Sequence, residues 1–145
     1  MKFLFQCIIF CLLLVSCGAK NPKILSSSTN SVKSSSGYTP FFDITAYSED
    51  EEYGLIGEKP VKVGEMSVQN QLRYLSSLAG PNGEELKFHR RGSCCGYKSE
   101  GAAFGSALVD VYDVTYDGLK KPIQIYISFY DFETLYIPKG FTKRL

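Results

Sequence analysis

The chain has 145 residues, room for one domain of the usual ~100–200 residues but not for two. Sixteen Lys and Arg against fifteen Asp and Glu leave a formal charge of +1. Such a surface has no field to gather a polyanion, which argues against nucleic acid as a partner.

Taken from its start, the chain first reads as a leader. Lys2 supplies a positive charge, and 3–15 is apolar apart from Gln6. That is the length of a signal-peptide apolar region and falls short of the ~20 residues a membrane-spanning helix needs. Leu14-Val15-Ser16-Cys17-Gly18 then has the form of a bacterial lipobox: a Leu, a branched residue, a small residue and a Cys. Small side chains let an extended backbone enter a narrow peptidase cleft, and a thiol is the nucleophile that forms a thioether with diacylglycerol. Residues 1–16 are expected to be a lipoprotein signal peptide, with Cys17 as the lipidated residue. Its acyl chains would bury far more methylene than one myristoyl group, so attachment should be effectively permanent. Gly18 carries no acidic retention signal, which favours the outer membrane over the inner.

Residues 18–37 contain seven serines among Asn, Thr and Gly, too polar to bury anything, and are expected to be a flexible tether. The globular domain is then 38–145. Ten Tyr and ten Phe with no Trp suggest strands more than helices, because aromatic side chains suit a pleated, half-buried surface. Phe41, Phe42, Ile44 and Tyr47 suggest a first strand, ended by the acidic run 49–52. That run lacks EF-hand spacing and reads as a solvated loop. Glycines and Pro60 break 53–63 into short strands and turns.

Helical spacing of Val68, Leu72, Leu75 and Leu78 predicts one helix over 68–79, with Ser67 as its N-cap and Gly80 as a left-handed terminator before Pro81. Alternation predicts a strand over 86–91, a Gly, Ser and Cys-rich loop over 92–105, a long strand over 107–116 and another over 123–130. Asp117-Gly118 joins the last two as an antiparallel hairpin. Leu135, Tyr136 and Ile137 suggest an edge strand closed by Pro138. The expected fold is α+β: a small antiparallel sheet with one amphipathic helix on a face. Leu72, Leu75, Val109, Val111, Ile125 and Ile127 are its expected core.

Of the five cysteines, Cys7 and Cys11 lie in the leader and Cys17 is the anchor. Cys94 and Cys95 alone remain for the domain, too few for a disulfide framework. They sit in Arg90-Arg91-Gly92-Ser93-Cys94-Cys95-Gly96, next to His89, the sole histidine. Four readings stay open. The cysteines could bond to each other, bind a metal with His89, supply a thiolate activated by Arg90 and Arg91, or fill space as small apolar groups. No GxSxG, HExxH, phosphate loop or dinucleotide fingerprint occurs. Asp110 and Asp113 fall on opposite faces of a strand and do not make an acid–base pair. No catalytic residue, metal site or cofactor is assigned, and the domain is expected not to be an enzyme.

Tyr53-Gly54, 60–64, Leu78-Ala79-Gly80-Pro81-Asn82-Gly83-Glu84, Arg91-Gly92-Ser93-Cys94-Cys95, Val109-Asp110-Val111-Tyr112, Tyr116-Asp117-Gly118 and Pro138-Lys139-Gly140-Phe141 resemble an uncharacterised lipoprotein family of Gram-negative bacteria. The LAGPNGE and RxGSCC segments are its most specific parts, and the likeness spans about 53–141. Members are sometimes labelled 2-dehydro-3-deoxyphosphooctonate aldolase, but that class is a (β/α)₈ barrel of roughly 200 residues or more, which this chain is too short to build. The resemblance therefore implies the anchor and the Cys-Cys segment as features, and no activity. The expected role is that of an envelope lipoprotein with a binding or scaffolding domain. Its expected partners are the membrane, through the lipid on Cys17, and another envelope protein. The alternative is an envelope thiol protein, redox-active or metal-binding, centred on Cys94 and Cys95. Replacing Cys17 by Ala should abolish fatty-acid incorporation and leave precursor or a soluble form, as read by lipid labelling and fractionation.

Overall fold

The computed structural model describes residues 41–145. The leader, Cys17 and the tether lie outside the described residues. The elements in order are β1 (Val61–Lys62), α1 (Val68–Ser76), β2 (Leu78–Ala79), β3 (Lys87–Lys98), β4 (Ser106–Thr115), β5 (Ile123–Ser128) and β6 (Thr142–Lys143). They form a small mixed α+β fold. One sheet has the order β1-β5-β4-β3, and a second, two-stranded sheet pairs β2 with β6.

The β4–β5 hairpin forms as its alternation predicts, antiparallel with Tyr112 opposite Ile125 and Val114 opposite Ile123. The sheet is not antiparallel throughout, because β1 adds to β5 in parallel through Val61 opposite Ile127. No strand forms over 41–47. Phe42 and Ile44 are buried there without a ladder, and Tyr47 makes an isolated parallel bridge to Ile137. The expected edge strand at 135–137 is reduced to that bridge, and the terminal pairing belongs to β6.

Helix α1 is shorter than its spacing predicts. Ser67 caps it by accepting from the Asn70 amide at 3.4 Å. It ends at Ser76, and the Ser77 hydroxyl donates to the Arg73 carbonyl (2.7 Å) while accepting from the Phe42 amide (2.8 Å). A serine turned back onto the helix in this way competes with further helical hydrogen bonds. Leu78 and Ala79 are then drawn into β2, so Gly80 is no helix terminator. It is the turn at 80–84 that uses Gly80. The Gly80 amide donates to the Glu84 carbonyl (2.8 Å), and a Cβ at Gly80 would strike the Glu84 carboxylate. That carboxylate accepts from the Asn82 amide and side chain, both at 2.9 Å, which accounts for Gly80, Asn82 and Glu84 of the LAGPNGE segment.

The largest difference lies in β3. It does not end at residue 91 but runs through the cysteines to Lys98, so the loop is only 99–105. Two bulges interrupt its pairing with β4: Arg90 faces Tyr112 while Gly92 faces Val111, and Cys94 faces Val109 while Gly96 faces Leu108. Arg91 and Cys95 are the extra residues, each set against one fewer on the partner strand. They break the two-residue period by which a strand is recognised.

α1 lies on one face of the sheet. Tyr74 and Leu75 join Tyr112, Val114, Ile125 and Ile127 in the core, with Leu135, Ile137 and Phe141 closing it. Leu72 is only partly buried. Val109 and Val111 are buried, but as alternating residues of β4 they point to the face opposite Tyr112 and Val114. They therefore do not meet the helix, contrary to the expectation that all six residues share one core. β4 is covered on both sides. Leu75→Ala should destabilise the domain by about 2–5 kcal/mol, and Leu72→Ala should cost clearly less. Urea unfolding midpoints would measure both.

Candidate functional site

Every residue singled out in the RxGSCC segment lies on β3, an edge strand of the sheet. The bulges divide these side chains between the two faces. On the helix face, Asp110 of β4 receives three donors. Gln71 Nε2 donates to Oδ2 at 2.9 Å, and Arg90 Nη2 and Ser93 Oγ donate to Oδ1 at 2.8 and 2.7 Å. The guanidinium also donates to Ser93 Oγ (2.6 Å), and the Tyr112 hydroxyl donates to Gln71 Oε1 (2.9 Å). Gln71 is 0% exposed and Asp110 7%. Burial alone would raise the Asp110 pKa, but the hydrogen bonds from Arg90, Ser93 and Gln71 outweigh it and hold the carboxyl below its usual range.

On the other face, Asp113 lies opposite His89, with its carboxylate 3.5 Å from His89 Nε2 and 3.6 Å from Arg91 Nη1. Both basic side chains are well exposed, so these pairs contribute little to stability. Beside them is an open cleft of about 420 Å³ lined by Arg91, Gly92, Ser93, Cys94, Val111, Gln124 and Tyr126.

Cys94 and Cys95 are joined in a disulfide between adjacent residues. Cys94 is half-buried and Cys95 exposed. The turn at 53–59 comes against the bond at Gly57, where a Cβ would collide with Cys95 Sγ. Only glycine permits that approach.

Arg90 and Arg91 thus part company: one is fixed in a polar network and the other faces the cleft. His89 is on the cleft side, with its nearest ionic partner a carboxylate rather than a cysteine. Among the described residues no group of three or more His, Cys, Asp or Glu side chains is arranged to hold a metal. Gln71 and Asp110 have the most built environment of the region, and neither stood out as functional in the sequence. One signal was available for Gln71: it lies one helical turn before Leu75, on the side of the helix that Leu75 buries, whereas Val68, three residues before it, is 50% exposed.

The network has no substrate-facing nucleophile with a base to activate it. Ser93 Oγ donates to a carboxylate that is already held by two other donors. The arrangement ties α1, β3 and β4 together. Asp110→Asn should lower stability by about 1–3 kcal/mol at neutral pH, since an amide presents a donor to Arg90 or Gln71. Because the folded pKa of Asp110 is depressed, its contribution is complete above the unfolded carboxyl value of about 3.9 and is lost as pH falls through the lower folded value. Unfolding curves of both proteins should converge in that acid range.

Comparison of the chain with protein-family models, with curated proteins and with solved structures finds no match.

Proposed function

We propose that this protein is a lipid-anchored lipoprotein of the bacterial envelope, of the LAGPNGE/RxGSCC type, whose small α+β domain binds or scaffolds another envelope component. The anchor rests on the pattern Leu14-Val15-Ser16-Cys17 behind an apolar run. No described helix is long and apolar enough to cross a membrane, so the lipid on Cys17 is the attachment this reading relies on.

One observation carries the choice of a binding domain over a thiol enzyme or metal centre. The two sulfurs are bonded to each other, and neither is left as a thiolate to attack a substrate or ligate a metal. Around the disulfide the surface is recognition-like: an open cleft with Arg91, Gln124 and Tyr126 on its walls and a covalently stiffened edge strand beside it. A few polar groups placed around a concave surface give a site its specificity. A second reading is favoured by the exposure of Cys95, which leaves the disulfide open to attack by a dithiol, as in an envelope redox protein.

Thiol titration of the mature protein, unfolded without reductant, tests whether the two cysteines are bonded to each other. Brief exposure of the folded protein to dithiothreitol before unfolding separates the two readings: slow release of thiols supports the binding reading, and rapid release the redox one. The expected result is no free thiol from Cys94 and Cys95 before reduction and two after it, with no disulfide-linked oligomer. The double variant C94S/C95S should fold and remain membrane-attached. Two free thiols that alkylate rapidly near neutral pH would overturn the binding reading in favour of the reactive one.

A further inference from the structure

A second concave site lies away from the cysteines. Its walls are the segment 46–50 and the segment 133–136, enclosing about 700 Å³ with Tyr53 between them. The walls are held in place by backbone hydrogen bonds. The Ser48 amide donates to the Ile137 carbonyl (3.0 Å), and the Ile137 amide donates to the Ala46 carbonyl (2.9 Å). Tyr53 accepts from the Tyr136 amide through its hydroxyl at 3.3 Å. The site is therefore formed before any ligand arrives.

Its lining has a definite chemistry. Tyr53 and Tyr136 meet edge to face, with centroids 5.9 Å apart and planes at 84°, which makes an aromatic corner. Tyr47 adds a third ring, is 57% exposed and makes no side-chain hydrogen bond among the described residues. Three carboxylates, Glu49, Asp50 and Glu133, line the same space, and no lysine or arginine does. Asp50 is matched by Lys59 at 2.8 Å, and Glu133 accepts from the Lys62 amide through Oε1 at 3.0 Å, its Oε2 being only loosely matched by the Lys62 ammonium at 3.8 Å. Glu49 has no ion-pair partner among the described residues. Ser48 and Thr134 add hydroxyl oxygens to the wall.

Aromatic faces attract cations through the ring quadrupole, and carboxylate and hydroxyl oxygens accept hydrogen bonds from N–H groups. From this lining we infer that the cleft between 46–50 and 133–136 is a binding site for a primary alkylammonium group. The charged head would donate to Glu49 and Glu133, and the alkyl stem would lie along Tyr47 and the Tyr53–Tyr136 corner. An anion is disfavoured by three carboxylates. A quaternary ammonium could use the rings but would leave the acceptors unserved. The head group could belong to a free diamine or to a lysine-type side chain. This inference names a ligand class for the binding domain proposed above, but it uses none of the cysteine segment, so the thiol titration and the ligand test fail independently.

The test is titration of the mature full chain with cadaverine and with Nα-acetyl-lysine N-methylamide, followed by tyrosine NMR shifts. Saturable binding at millimolar concentrations or tighter is expected for at least one of them, and the preferred probe identifies the source of the ammonium. Tyr47→Ala and Glu49→Gln should each weaken it about 3- to 30-fold, the range of one cation–aromatic or charge-assisted contact. Both side chains are exposed, and should Tyr47→Ala disturb the fold, Glu49→Gln still decides the matter. Butyrate should not bind, and tetramethylammonium should bind more weakly than either amine. No saturable shift with either amine, affinities untouched by both substitutions, or tetramethylammonium binding as tightly would overturn the assignment.

Discussion

A single buried carboxylate sets the terms for the rest of this fold. Asp110 stands on an interior strand that is covered on both faces, where an unpaired charge would cost several kcal/mol. It needs donors from its neighbours, and Gln71, Arg90 and Ser93 provide them from α1 and β3. In a regular strand, Arg90 and Ser93 are three residues apart and would point to opposite faces. The bulge at Arg91 inserts one extra residue and brings Ser93 to the face of Arg90. The Arg-x-Gly-Ser part of the RxGSCC segment is thus a geometric device for surrounding one carboxylate.

The same shift positions the two cysteines. With Ser93 on the helix side, Cys94 turns to the far face opposite Val109, and a second bulge admits Cys95. The disulfide closes at that irregularity and lies under Gly57. β3 is long and lies at the edge of the sheet, where unpaired amides and carbonyls invite another strand. Two bulges, three basic side chains at 89–91 and the 53–59 turn make it a poor template for such addition. A partner engaging this edge meets side chains and a cleft rather than a flat ladder.

Both concave sites arise from loops seated on rigid pairing. The tyrosine cleft depends on bridges between 46–48 and Ile137, and the cysteine cleft on the bulged ladder of β3 with β4. A stiff sheet holding short irregular segments keeps its concave surfaces ordered, which lowers the entropy that any binding there would cost.

Much of this protein is local and was legible in the amino-acid order. The apolar run 3–15 and the lipobox-like Leu14-Val15-Ser16-Cys17 are contiguous patterns, and both lie outside the described residues. Ser67 capping a run of helical period specified α1, and the alternation on either side of Asp117-Gly118 specified β4 and β5. What tertiary structure alone decided is non-local. The parallel addition of β1 to β5 joins residues far apart in the chain, and β6 captures Leu78 and Ala79 from what periodicity assigns to the helix. Val109 and Val111 are apolar in any reading, and only the assembled sheet shows that they face away from α1. Gln71 and Asp110 are polar residues whose pairing across α1 and β4 no local pattern announces. The continuation of β3 was hidden because each bulge breaks the two-residue alternation by which a strand is read. The group that the first bulge serves, the Asp110 carboxylate, lies on a different strand.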